Sequence, residues 1–163
     1  MDPLWAPWRM RYIMASKPES CIFCTKPRDD HDAANHIVWR GDSAFVMLNA
    51  YPYNNGHLLI APYAHIADLE DLPSQTLLEI MQLSQDAIRV LKLRFNPEGV
   101  NLGLNLGAAA GAGVKDHLHM HIVPRWLGDT NFMPVIADVR VIPQSLDHAY
   151  AIIRDGFLSL PRD

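Results

Sequence analysis

The sequence predicts an α+β domain: an antiparallel sheet of about five strands, one long helix and a C-terminal helix. Short apolar runs follow one another through short turns between His36 and Ala61. One segment after residue 99 alternates apolar with small or polar residues, the mark of a half-buried strand. Helical periodicity occurs in only two places instead of returning after every strand, which a doubly wound parallel sheet would require. A length of 163 residues suits one domain, residues 1–163, with residues 1–20 as an N-terminal arm.

Composition narrows the function classes. Hydrophobic residues make up 49% and charged residues 20%, which is globular, and 14 Lys+Arg against 18 Asp+Glu leave a net charge of −4. That balance gives no electrostatic reason to expect nucleic acid or an anionic membrane as partner. No apolar run approaches the roughly 18 residues of a spanning helix, and no charged-then-apolar leader opens the chain. A cytoplasmic protein is expected.

The elements follow in order. Trp5 and Trp8 lie among Pro3, Pro7 and Pro18, so residues 1–20 read as an irregular arm packed through its tryptophans. Lys26 to Asn35 reads as a solvated loop. His36–Arg40 and Ala44–Asn49 read as strands around the turn dipeptide Gly41-Asp42, and His57–Ala61 as a third, stopped by Pro62. Ser74 is positioned to cap a helix over Gln75–Phe95 with Leu77, Ile80, Met81, Ser84, Ala87, Ile88 and Leu91 on one face. Val100, Leu102, Leu104 and Leu106 form the apolar face of the next strand. His117–Val123 follows, stopped by Pro124, and Pro143–Leu160 reads as the last helix.

On a strand, His117, His119 and His121 point to one face, while Leu118, Met120 and Ile122 point to the core. Three adjacent imidazoles are not all protonated near neutral pH, so a phosphate, a carboxylate or a metal belongs opposite them. A single three-histidine metal centre is disfavoured. Alternate residues of a strand stand nearly 7 Å apart and the outer pair about 13 Å, too far to share one ion. The Gly- and Ala-rich run Gly107–Gly113 lacks a following Gly-Lys-Ser/Thr and is no P-loop, but its backbone N–H groups are free to approach phosphate closely. Cys21 and Cys24 are the only cysteines and only two residues separate them, a spacing that fits metal or redox chemistry rather than a disulfide framework, and redox use would expect a thioredoxin-like fold that the sequence does not show. Zinc needs two further ligands, and His36, His65 and His117 are the candidates by sequence.

His117-Leu118-His119-Met120-His121-Ile122-Val123 resembles the signature of the histidine triad family. Leu48-Asn49 and Gly56-His57-Leu58-Leu59-Ile60-Ala61-Pro62 are similar to the family's upstream strand pair. Cys21-Ile22-Phe23-Cys24 resembles its zinc-bearing members. Leu4–Ile13 and Gly128–Val135 are similar to its diadenosine tetraphosphate phosphorylase branch, related to the Fhit-type hydrolases. The resemblance spans roughly Leu4 to Leu146.

It implies a HIT-like fold and an enzyme that cleaves dinucleoside polyphosphates through a covalent nucleotidyl-histidine. His119 would be the nucleophile and His121 a donor to phosphate, with phosphate the expected acceptor and water its competitor. Asn49 is implied at the ribose hydroxyls, with Phe45 and Leu48 as walls for adenine. Gly111 and Gly113 are expected at the phosphates. Gly113 and Val114 stand where many members carry Gln and then Ser or Thr, so backbone donors, Asn105 or Lys115 are expected to assist the leaving group. The zinc-bearing members imply Cys21, Cys24, His65 and His117 as a structural zinc set. A homodimer or higher homo-oligomer is expected. The rival functions are a nucleoside phosphoramidate hydrolase and a non-catalytic nucleotide sensor.

Overall fold

A computed structural model describes residues 20–131 and 141–161. The N-terminal arm, with Trp5 and Trp8, and most of the motif after Gly128 lie outside the described residues.

The chain opens with two one-turn helices, α1 (Ile22–Thr25) and α2 (Asp32–Asn35), joined through a 3₁₀ turn at Lys26–Arg28. The stretch predicted as a loop is thus mostly helical turn. Arg40 organises it, donating to Asp32 Oδ1 at 2.9 and 2.7 Å and to the carbonyls of Pro27 and Asp29. Strands β1 (Ile37–Arg40), β2 (Ala44–Leu48) and β3 (Leu58–Pro62) form the expected antiparallel meander. Helix α3 (Ser74–Phe95), β4 (Gly99–Leu104), β5 (Met120–Arg125) and α4 (Leu146–Ser159) complete it, with sheet order β1-β2-β3-β5-β4.

Alternation along β2 and β3 divides the core into two layers. Val46, Leu48, Leu58 and Ile60 pack with Leu118, Met120 and Ile122 against Ile80, Leu83, Ala87 and Leu91 of α3 and Ile153 and Phe157 of α4. Phe45, Met47, Leu59 and Ala61 face the other way and bury Phe23 of α1 and Ile37. The two long helices, α3 and α4, cover one side of the sheet. The histidines occupy the other.

Five expectations need correction. Ser74 is the first helical residue and Pro73 takes the cap position with no side-chain hydrogen bond. The buried face of α3 is Thr76, Ile80, Leu83, Ser84, Ala87, Val90 and Leu91; Leu77 and Met81 are exposed at 37% and 43%. Most of β4 is exposed, Leu102 at 40% and Leu106, beyond its end, at 43%, because β4 is an edge strand that no helix covers among the described residues. Pro124 does not stop its strand. It lies inside β5 opposite Val100, beyond Ile122, where pairing with β3 ends, so its missing N–H costs no ladder bond on that side. The C-terminal helix is shorter than predicted and is capped by Ser145, whose hydroxyl accepts from the His148 N–H.

Candidate active site and metal centre

The three histidines alternate as predicted although only His121 lies within β5. Leu118, between the first two, is held by its N–H donating to the Ile66 carbonyl at 2.7 Å. His117 and His119 are buried and His121 is half-buried. The rings of His119 and His121 lie 4.9 Å apart.

Backbone groups fix the tautomer of each ring, because a carbonyl only accepts and an amide N–H only donates. His119 Nδ1 sits 2.8 Å from the His117 carbonyl and therefore carries the proton, which leaves a lone pair on Nε2. His117 Nε2 donates to the Pro62 carbonyl at 2.9 Å, so its free lone pair is on Nδ1. A fourth histidine completes the set. The Tyr53 N–H donates to His57 Nδ1 at 3.0 Å, so His57 donates from Nε2 to His121 Nδ1 at 3.0 Å. His121 is left with an Nε2–H as its remaining polar edge.

Sequence reasoning gave His57 no role. The available signal was a polar residue opening an otherwise wholly apolar strand, where full burial demands partners. The ring is fully buried. The turn that supplies Tyr53 is anchored by Asn54, which donates to Asp129 Oδ2 at 2.8 Å and to the Pro124 carbonyl at 3.1 Å. The guanidinium of Arg125, hydrogen-bonded at 2.6 Å, holds the Asp129 carboxyl down at about 2.

Burial lowers the pKa of His119, opposed by the bond to the His117 carbonyl. It also lowers His121, to about 4, with the neighbouring His119 adding to the shift. Both rings are neutral at neutral pH. Gly103 lies opposite His121 across the β4–β5 ladder, and among the described residues a Cβ there would meet nothing within 4 Å, leaving space on the histidine face beside it.

The other predicted contacts divide. Asn49 donates to His57 Nδ1 at 3.3 Å and accepts from the Tyr51 N–H at 2.9 Å, placing its amide in the histidine network. Asn105 follows Leu104, whose ladder partner is Met120, and so leaves the sheet beside His119. Gly111 has a left-handed φ of 88° at the end of the 3₁₀ turn Ala108–Ala110, and both it and Gly113 are half-buried. Lys115 is exposed and 3.9 Å from Asp116. Leu48 is a correction: it faces the helix-side core and is 1% exposed, so it has no surface for a base. Phe45 is on the histidine side but fully buried, its ring 5.3 Å from Tyr63, and it too presents no surface.

Behind the triad, one donor atom from each of Cys21, Cys24, His65 and His117 falls within 4.8 Å of all the others. His117 Nδ1 is 3.4 Å from Cys21 Sγ, 3.5 Å from Cys24 Sγ and 3.3 Å from His65 Nδ1; Cys24 Sγ is 3.2 Å from His65 Nδ1. Tetrahedral bonds of about 2.0–2.3 Å place ligand atoms about 3.3–3.8 Å apart. The donors therefore suit zinc in kind, and these four separations are close to that spacing. The His117 tautomer suits it as well, since the Pro62 carbonyl holds the proton on the far nitrogen. His36 is elsewhere, 3.5 Å from Asp147 at the start of α4.

Comparison with known proteins agrees with this geometry. The HIT domain family model matches residues 31–126. The AP-4-A phosphorylase of Mycobacterium tuberculosis is 42% identical over 154 residues, covering 90% of this chain and 79% of that protein. An uncharacterized HIT-like protein of Methanocaldococcus jannaschii is 31% identical over 109 residues, 67% of this chain and 81% of its own. A zinc-bound histidine triad family protein from Mycobacterium smegmatis superposes with a TM-score of 0.68 at 26% identity, covering 85% of this chain and 94% of that one. With its triad, its sheet order and a family match over more than half its length, the chain belongs to the HIT domain family.

Proposed function

We propose that this protein cleaves dinucleoside polyphosphates of the diadenosine tetraphosphate type by nucleotidyl transfer through His119, with inorganic phosphate as the acceptor. The observation that carries the reading is the His119 tautomer. The proton is on Nδ1, bound to the His117 carbonyl, and the lone pair is on Nε2. A neutral imidazole so oriented is a competent nucleophile near pH 7. Nε2 attacks the α-phosphorus, the N–P bond forms, and the P–O bond to the leaving nucleoside polyphosphate breaks with its electron pair. A phosphate oxygen then attacks the same phosphorus, and the N–P electron pair returns to Nε2. His121 Nε2–H offers a neutral hydrogen bond to a phosphoryl oxygen during both steps. The choice of phosphate over water rests on the likeness to the mycobacterial phosphorylase.

Cys21, Cys24, His65 and His117 would hold a structural zinc, which when bound supplies folding energy and no open coordination position for chemistry. Reduced cysteines in such a set fit a cytoplasmic location. A homodimer fits the edge of β4, which is unpaired among the described residues and carries exposed Leu102, because an apolar sheet edge is commonly covered by another strand.

The test is incubation with diadenosine tetraphosphate, with and without phosphate. ADP plus ATP, dependent on phosphate and absent in His119→Ala, is expected. AMP plus ATP would replace phosphorolysis by hydrolysis. Binding without turnover would leave a sensor, and turnover of a nucleoside phosphoramidate alone would redirect the substrate class.

A further inference from the structure

We propose that Phe23 is a positioning residue for His119 and the link through which the Cys21/Cys24 turn governs the nucleophile's orientation. Its kinetic consequence rests on the nucleotidyl-transfer reading above. Its structural consequence does not.

A single hydrogen bond at Nδ1 fixes one point of the His119 ring and leaves the plane free to pivot about that bond. The plane needs support on its face. Phe23 supplies it, with ring centroids 4.7 Å apart and planes inclined by 30°. The same phenyl ring lies 5.2 Å from His117. It therefore touches both the reacting imidazole and the imidazole whose carbonyl holds that reacting imidazole's proton. Phe23 is 1% exposed, so its contact with His119 is dry and close-packed.

What positions Phe23 is a very short piece of chain. It lies within α1, four residues long, between two cysteines of the metal set. One helical turn has no stability of its own. The turn is tied by the Cys24 and Thr25 N–H groups donating to the Cys21 carbonyl, at 3.1 and 3.0 Å, and by Phe23 packing beside Ile37, Met47 and Leu59. Cys21 and Cys24 coordinating one ion would clamp the turn from both sides of Phe23. Loosening the clamp frees the phenyl ring to shift, and the imidazole face follows. A displacement of about 1 Å at a reacting group costs on the order of 10²-fold in rate.

The experiment uses the full-length, zinc-loaded protein and the variants Phe23→Leu, Phe23→Met and Ile37→Val. Ile37→Val is the control for packing loss in the same buried cluster. Single-turnover formation of the nucleotidyl-enzyme from diadenosine tetraphosphate is followed alongside KM, zinc content and the ¹⁵N-detected imidazole resonances of His119. For both Phe23 variants the expected result is a rate constant lower by about tenfold to hundredfold. Zinc content and KM should hold, and a broadened or shifted His119 Nδ1–H signal should replace the sharp one of wild type. Ile37→Val should keep the wild-type rate and signal, whereas chelation of wild type should broaden the signal as the Phe23 variants do. Wild-type rate and a sharp signal in both Phe23 variants would overturn the proposal, as would an equal loss in Ile37→Val. A sharp signal after chelation would overturn the link to the cysteine turn. If wild type forms no nucleotidyl-enzyme at all, the functional reading fails, and the imidazole spectra still decide the role of Phe23.

Discussion

His57 Nε2 lies 3.0 Å from His121 Nδ1, and the backbone decides which ring donates. The Tyr53 amide cannot accept, so His57 accepts at Nδ1 and donates at Nε2. The chain of donors runs from backbone to His57 to His121 and ends on an N–H at the open face. A fully buried residue thus sets the sign of the hydrogen bond that His121 presents at that face.

Removing that relay should weaken chemistry more than binding. His57→Leu leaves His121 free to adopt the other tautomer, so kcat should fall by about tenfold to hundredfold. That is less than the roughly 10²–10³ for deleting a donor that touches the transition state. His57→Gln has an acceptor for Tyr53 and a donor for His121, and should recover part of the loss. Steady-state kinetics of both variants check this. Equal activity of the two, at either level, would count against the relay.

The pH dependence has a definite sign. His121 is lowered in the folded protein to about 4, through burial first and the neighbouring His119 second, from an ordinary value near 6.5. The unfolded chain therefore binds more protons between those values, and stability rises with pH across that window. Above pH 6.5 the contribution of this group is fully present. It is lost as pH falls from about 6.5 towards 4. Urea midpoints at pH 7 and pH 5 should differ for wild type and differ less for His121→Asn. The same shift implies no loss of activity from protonation of His121 between pH 8 and 6.

Much of this arrangement was legible in the sequence because it is carried by periodicity. Spacing of two placed Leu118, Met120 and Ile122 in the core and the histidines opposite, and the meander followed from its turns. What was not legible depended on neighbours that are distant in sequence. Leu77 and Met81 obey the same helical period as Ile80, but the direction from which the sheet approaches α3 leaves them outside. Leu102 alternates correctly on a strand that is half-buried only if something covers the edge. Leu48 and Phe45 are adjacent enough to suggest one wall, and a step of three along a strand puts them on opposite faces.

Close approach of the two long helices gives a stability prediction away from the site. A Cβ at Gly156 of α4 would come within 2.5 Å of Val90 Cγ1 and 3.5 Å of Arg94 Cγ on α3. Both Gly156 and Val90 are buried, so α3 and α4 must separate to admit the methyl group. Gly156→Ala should destabilise by about 1–3 kcal/mol, the range for overpacking, despite the better helix propensity of alanine. Equilibrium urea unfolding measures it. Activity well below the transition should be unchanged, because the helices lie on the side of the sheet opposite the histidines.

Metal removal should act from the other side. Cys21 caps α1 and Cys24 lies within it, His65 follows β3, and His117 precedes β5, so one ion would tie the N-terminal turn to the paired strands that carry the histidines. Its binding energy is then folding energy for the N-terminal part of the domain. Chelation, or Cys21→Ser, should lower Tm and increase proteolysis near residues 20–36 before the sheet is affected. His119→Asn should retain zinc, because the His119 ring bonds back to the His117 carbonyl and lies outside the four-donor set. Elemental analysis of wild type and these two variants, paired with thermal unfolding, is the check. Zinc lost on His119→Asn but kept on Cys21→Ser would move the metal to the catalytic face. One zinc per chain in wild type, lost with Cys21 and kept without His119, is the outcome expected from the donor geometry.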